Sequence, residues 1–349
     1  MKLLQWNYCL CLISMAFWLP ASNIQAATMP RVDCTASMST STINFGNVTQ
    51  ANFNDANSTT ATLNYNCTNR GIRSGYVSVC LAVDGGSSAP TVVYPRYMSN
   101  TTDNTRKLAF TMKLPNDILW GTRRGDGSEY NSGPIVMPRR PGFLGSQSSI
   151  SGSVIINASL LSKNGNSLAT SGSYIANFNG GHTALTFKAE EDLGSANCAT
   201  GDQDDDRFSF TVQANVIDSC KINTTSDINL GSHPANETDI LGNSNAINMT
   251  CTNEASYYID LTPSNDNTNG AGVLKGSGSN TDKVPYQLRS TAGTGGKIWG
   301  NTATTTDVGN GVPGIGSGVF QTQTVYVTVP SADFKPDNYS DTVTIRVNY

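Results

Sequence analysis

The sequence predicts an all-β protein made of two copies of one β-sandwich module, and three observations carry that prediction. Short alternating runs recur along the 349 residues ("ATLNYNC", "YVSVCLAV", "KLAFTMKL", "VIINASLL", "TVYVTV", "TVTIRVNY"), each with the period of a strand that has one buried face. Clusters of Gly, Asn, Ser and Pro separate them, and no segment sustains a helical period. The same motifs then return in the same order in the second half. Strands of this length and spacing build sandwiches rather than parallel sheets. Each copy is long enough for its own core.

The first residues are a targeting segment. Lys2, the apolar run Cys9 to Leu19, Pro20 and the small-residue stretch "NIQAA" predict a secretory signal peptide over 1–27, cut after Ala26 or Ala27. The apolar run is too short for the ~20 residues of a membrane span. No "L-x-G-C" lipid site ends it, and no later stretch reads as a span. An exported, soluble product is expected.

Export gives the cysteines their meaning. Cys34, Cys67, Cys80, Cys198, Cys220 and Cys251 remain after Cys9 and Cys11 leave, and an even number in an oxidising compartment favours disulfides. The internal repeat selects among the pairings. "CTASMSTSTINFG" (34–46) matches "CKINTTSDINLG" (220–231), and "LNYNCTN" (63–69) matches "INMTCTN" (247–253). Cys34–Cys67 and Cys220–Cys251 are therefore expected, each closing about 30 residues for roughly 3–4 kcal/mol in the chain-entropy model. Cys80 and Cys198 have no counterpart in the second copy and are left to pair with each other.

Later elements follow in register. "KLAFTMKLPNDILWG" (107–121) parallels "KVPYQLRSTAGTGGKIWG" (283–300), and "VIINASL" (154–160) parallels "VYVTVPS" (325–331). A Tyr-led strand closes each copy: "SYIANF" (173–178) and "NYSDTVTIRVNY" (338–349). Between the copies lies "FSFTVQANV" (208–216), an alternating strand whose counterpart before Cys34 is missing. The copies divide at 28–205 and 206–349.

These residues resemble the Spore Coat Protein U domain: the Cys followed by "INFG", the second Cys in "NCTN", "PRYM", the "WG" dipeptide and the Tyr-rich last strand. A secreted chain with two such copies resembles the two-domain tip adhesins of archaic, Csu-type chaperone–usher pili. The resemblance implies immunoglobulin-like sandwiches of the pilin type, the second incomplete and needing a donor strand from a neighbour. It implies no cofactor, and as partners a periplasmic chaperone, the outer-membrane usher and the next pilus subunit. The site is then the pilus tip, reached through the periplasm. Residues 208–216 are expected to be donated in cis to the first sandwich, to lead the second, or to form an ordinary strand with no donor role. Val343, Ile345, Val347 and Tyr349 are expected on an open edge strand offered to chaperone or pilin, since the sequence stops there.

Other function classes are poorly supported. Only His182 and His233 offer imidazoles, neither beside a nucleophile motif such as G-x-S-x-G, so no enzyme is expected. "GDQDDDR" (201–207) and "NDNTNG" (265–270) lack the full ligand pattern of a calcium loop, and no metal is expected. A nucleic-acid-binding stripe is absent. Residues 28–205 carry 13 basic and 13 acidic side chains, whereas 206–349 carry 8 and 13, net −5. The neutral first copy suits contact with negative surfaces, with Arg123, Arg124, Arg139 and Arg140 as its paired arginines.

Comparing the copies also separates core from novelty. "ILWG" (118–121) recurs as "KIWG" (297–300), so Trp120 is expected to be structural. Two apolar segments have no such match: "APTVVYPRYM" (89–98), with Val92, Val93 and Tyr94, and "GPIVMPRRPGFLG" (133–145), with Ile135, Val136, Met137, Phe143 and Leu144. Both are stiffened by Pro and Gly. They are expected to be exposed loops for hydrophobic abiotic or host surfaces, supporting attachment and biofilm formation; the alternatives are a structural shaft or coat subunit, or a lectin-like adhesin that binds a glycan.

Overall fold

The computed structural model describes residues 31–53, 57–123, 125–142, 145–162, 164–203 and 207–349. The signal segment, Arg124, Phe143 and Leu144 lie outside them. The first module holds β1 (Val32–Met38), β2 (Thr42–Val48), β3 (Ser58–Asn69), β4 (Gly75–Val83), β5 (Arg96–Asn100), β6 (Lys107–Lys113) and β7 (Tyr130–Asn131). It continues with β8 (Ile135–Met137), β9 (Ser148–Leu160), β10 (Gly172–Phe178), β11 (Thr183–Glu190), β12 (Asp202–Gln203) and β13 (Phe210–Val216). The second holds β14 (Cys220–Thr225), β15 (Thr238–Cys251), β16 (Ser256–Pro263), β17 (Ala271–Gly276) and β18 (Lys283–Arg289). β19 (Val312–Ile315), β20 (Gln321–Ser331), β21 (Tyr339–Ser340) and β22 (Val343–Asn348) complete it.

Each module is two facing sheets, and the order of strands repeats. In the first, β1-β3-β9-β6-β5-β10-β13-β2 faces a smaller sheet in which β4 lies between β11 and the short strands β7 and β8, with β12 beyond β11. In the second, β14-β15-β20-β18-β17-β21 faces β19-β16-β22. The alternation seen in the sequence sends one face of each strand inward. The two cores are separate: Leu63, Phe110, Trp120, Phe178 and Val212 belong to one, Ile247, Tyr257, Ile259 and Trp299 to the other.

The "WG" repeat has a structural cause. Trp120 is buried and its indole Nε1–H donates to the Leu81 carbonyl at 3.0 Å; Trp299 does the same to Ile259 at 2.7 Å. Each indole thus pins its loop to the middle strand of the smaller sheet while filling the core. Disulfides Cys34–Cys67 and Cys220–Cys251 cross-link the first strand of each module to its neighbour, and Cys80–Cys198 ties β4 to the segment after β11.

The last Tyr-led strand switches sheets in both modules. Tyr174 pairs with Asn100, and Tyr339 with Gly276 at the matching position. Beyond the switch, β11 runs along β4 and β22 along β16. Between Val216 and Cys220 only three residues connect the modules. The junction is held by Gln50 N–H donating to Ser219 Oγ, Asn253 Nδ2 donating to the Leu168 carbonyl, and an Arg106–Glu254 ion pair at 2.7 Å.

Candidate functional site

The strand 208–216 belongs to the first module. β13 runs antiparallel to β10 from Gly172–Val216 to Phe178–Phe210, and parallel to β2 from Thr42–Thr211 to Val48–Val216. Its inward residues Phe210, Val212, Ala214 and Val216, and Phe208 just before it, are all buried in the first core. Phe210 stacks on Phe178 at 4.6 Å, and Trp120 lies parallel to Phe208 and Phe210 at 6.0 and 6.1 Å. Of the roles open from sequence, leading the second module is not the one realised: the segment packs as a strand of the first sandwich. The packing boundary therefore falls after Val216, about ten residues beyond the sequence division at 206.

In the second module the same lane is open. The first-module motif "INFG" forms β2, whose ladder partner is β13. Its counterpart "INLG" (228–231) has no strand beside it among the described residues and adopts no regular strand. Ile228 and Leu230 remain only half-buried, Leu230 lying over Gly242, where a Cβ would meet its Cδ2 at 2.2 Å. Opposite them, β21 is two residues long, whereas β10 extends over seven beside β13. Between these walls runs a groove of about 340 Å³ whose floor and sides include Ile247, Leu261, Leu274, Leu288, Val325 and Val327. A largely apolar trough between two walls that no strand bridges among the described residues is the complement of one extended strand.

β22 forms one side of this groove. Val343, Ile345 and Val347 point inward but stay half-buried, and Tyr349 is exposed. Its counterpart β11 is flanked by β12, while β22 pairs with β16 alone among the described strands. The edge is held from behind by Asp260, fully buried, which accepts from Arg346 Nη2 at 2.7 Å, Asn348 Nδ2 at 3.0 Å and the Ala303 amide at 3.1 Å.

The other groove wall carries a histidine clasp. His233 Nε2 lies 2.6 Å from the Leu230 carbonyl and Nδ1 3.0 Å from Glu237. Both neighbours accept, so the fully bonded ring is the imidazolium. The Leu230 carbonyl and then Glu237 raise the His233 pKa above its ordinary 6.5. His182, by contrast, pairs with Asp84 at 3.0 Å beneath the loop after β4. The asparagines of "NDNTNG" bond its own turn: Asn267 Oδ1 accepts from the Asn269 and Ala271 amides.

The expected surface loops do not form one patch. They leave opposite ends of β4: the segment 84–95 follows Val83, while β8 pairs with Gly75–Val77. Val93 and Met137 are buried, which removes them as contact residues. Val93 is held inward because its carbonyl accepts from Arg96, a buried guanidinium that also donates to the carbonyls of Asp84, Val83 and Trp120. Burial lowers the Arg96 pKa to about 9, so it remains charged at neutral pH. Met137 faces the core from β8, leaving Val136 outside. Val92 and Ile135 are half-buried, and Ile135 packs on the core; Tyr94 and Val136 are exposed.

Two exposed residues join Val136. β10 begins beside Val216 at the junction, and β10 and β11 run away from it as far as Glu190, which pairs with Tyr76. At that far pole Ile72 and Val136 are each 64 % exposed and Leu193 50 %, around an Arg73–Glu191 ion pair. Ile72 and Leu193 gave no sequence signal, being single apolar residues in polar runs. Arg123 is engaged in the fold, bonding Glu129, Thr186 and the Cys198 and Ala199 carbonyls. Leu168 is exposed but sits at the module junction.

A sandwich closed by its own chain, followed by one with an open lane, defines a pair of immunoglobulin-like modules of the pilin type. The Spore Coat Protein U domain model matches residues 21–133 and 206–346, and the chain belongs to that family. Comparison with curated proteins yields no match. Among solved structures, the chain is similar to the CsuC–CsuE chaperone–tip adhesion subunit pre-assembly complex of archaic chaperone-usher Csu pili from Acinetobacter baumannii. The identity is 13%, with 91% of this chain and 100% of that chain covered, at a TM-score of 0.49. It is also similar to the CupB6 tip adhesin of Pseudomonas aeruginosa (13% identity, 90% and 93% covered, TM-score 0.32). A third is CfaE, the adhesive subunit of the CFA/I fimbria of enterotoxigenic Escherichia coli (9% identity, 77% and 81% covered, TM-score 0.31).

Proposed function

We propose that this chain is the distal, adhesive subunit of an extracellular chaperone–usher pilus. One observation carries the reading: β13, the strand that leads into the second module, is consumed inside the first, while the corresponding lane of the second is open. In a fibre built by strand donation, such a subunit receives a strand but has spent its own. It therefore stands at an end. The second module's lane takes first a strand of a periplasmic chaperone and then, at the outer-membrane usher, the leading strand of the next pilin.

The first module then faces outward with its far pole leading. Ile72, Val136 and Leu193 present apolar surface there, and Tyr94 presents more along the side. Each side chain contributes little, about 25 cal/mol per Å² buried, but many pili per cell multiply weak contacts into firm attachment and biofilm. A second reading, recognition of a glycan, is favoured by a shallow polar depression on the outer face of β1, β3 and β9. It is lined by Thr35, Ser37, Asn64, Asn66, Ser151 and Ser153.

Immunogold labelling of assembled fibres tests the proposal. Label confined to one fibre end is expected; label along the shaft would make the chain a structural repeat unit. Attachment to plastic by cells whose pili carry Ile72→Ser, Val136→Ser and Leu193→Ser is expected to fall. A glycan array that retains the first module would move the binding role to the polar depression.

A further inference from the structure

The open lane is lined mostly by apolar side chains, with Thr225, Ser226, Tyr286 and Thr342 at its polar points and two acids as its charged ones. Asp341, at the switch between β21 and β22, lies on one wall, and its Oδ2 accepts from the Tyr286 hydroxyl at 2.6 Å. Asp227 borders the lane beside Ile228 on the other wall. No lysine, arginine or histidine is among the residues that line it. Burial, and then the adjacent Asp341, push the Tyr286 hydroxyl well above its ordinary range, so it stays a donor to a charged carboxylate.

The first module is built differently at these positions. Phe110 pairs with Arg96 as Tyr286 pairs with Gly272. Ala176 stands two residues past Tyr174, as Asp341 stands two past Tyr339. Ala176 in turn pairs with Val212 of β13. Where the filled lane sets Phe110 and Ala176 against a valine, the open lane sets a phenol and a carboxylate.

A strand laid into the lane strips water from both carboxylates. Desolvating an anion against an apolar side chain is unfavourable, whereas a cation placed there keeps it paired. We propose that Asp341 and Asp227 make the lane selective: it accepts a strand that is apolar at alternate positions and carries a lysine or arginine facing Asp341. Strands with an apolar or acidic residue at that position, β13 included, are rejected. The selectivity rests on the lane being an acceptor for a donor strand. It also explains how two neighbouring lanes in one chain avoid competing for β13.

The test uses the full chain and fluorescently labelled peptides of the β13 sequence, "FSFTVQANVI", with the valine at position 212 kept or replaced by Lys or Glu. Anisotropy titration against the unmodified chain is expected to show the Lys peptide binding at least about tenfold tighter than the Val peptide, and the Glu peptide weakest. Asp341→Ala is expected to erase the Lys preference, and Asp341→Ala with Tyr286→Phe, which copies the first module's floor, to reverse it. Asp341→Asn keeps an acceptor for Tyr286 should the alanine variant fold poorly, and is expected to lose most of the preference. Lys and Val peptides binding the unmodified chain within twofold, or a preference that survives loss of Asp341, would overturn the selectivity while leaving the acceptor lane intact. Failure of every peptide to bind every variant would count against the acceptor lane itself, and the selectivity would fall with it.

Discussion

Truncating Phe210 separates a filled lane from an open one. Phe210 is buried between Phe178, stacked at 4.6 Å, and Trp120 at 6.1 Å. Phe210→Ala removes a whole ring from a closed core and leaves a cavity that β10 and β2 cannot collapse into, since both are hydrogen-bonded to β13. The expected loss is about 3–5 kcal/mol for the first module. The matching truncation in the open lane, Val343→Ala, removes two methyl groups from a half-buried side chain and is expected to cost no more than about 1 kcal/mol. Denaturant unfolding followed by tryptophan fluorescence distinguishes the modules. Outside the signal segment the chain has Trp120 in the first core and Trp299 in the second, so a Trp→Phe change silences either one. Phe210→Ala is expected to move the Trp120 transition and leave the Trp299 transition in place. A Trp120 transition shifted by less than about 1 kcal/mol, or an equal shift in both, would refute the assignment of β13 to the first core.

Three further outcomes follow from the same packing. Replacing Cys80 and Cys198 by Ala opens a loop of 118 residues' separation and is expected to destabilise the first module by about 4–5 kcal/mol in unfolding experiments, sparing the second. Arg346→Ala removes the cation paired with the buried Asp260; because Arg346 is 59 % exposed the loss is expected at about 2 kcal/mol, read as a lower Trp299 midpoint. His233 is expected to titrate above 6.5 by NMR, whereas a value at or below 6.5 would contradict the clasp. Because its folded pKa is raised, the clasp is complete below 6.5 and is lost as pH rises through the folded value, so exchange of the amides from Leu230 to Glu237 is expected to quicken there.

Much of the fold was legible because the repeat and the strand period report on covalent and packing constraints that recur locally. Cys34 with Cys67, the two "WG" loops and the Tyr-led strands each do one job twice, and duplication exposes the job. The assignment of 208–216 was not legible. Alternation shows that Phe210 and Val212 are inward, but not which of two adjacent cores receives them; that depends on β10 and β2, more than thirty residues away in sequence. The burial of two residues in the apolar loops was not legible for a related reason. Val93 and Met137 look like loop residues beside proline and glycine, yet Arg96 draws one inward and pairing with Gly75 turns the other to the core. Arg96 itself, buried against four carbonyls, has no local signature, since what satisfies it is backbone from three separate segments.

Amide hydrogen exchange in the isolated chain and in assembled fibres tests the open lane most directly. Strand donation predicts that the amides of Ile228–Gly231, and those β22 amides that face away from β16, exchange readily in the isolated chain and become strongly protected in the fibre. The amides of Phe210–Val216 are predicted to be protected in both states. Rims that are already protected in the isolated chain, or that stay unprotected in the fibre while β13 becomes newly protected, would contradict it.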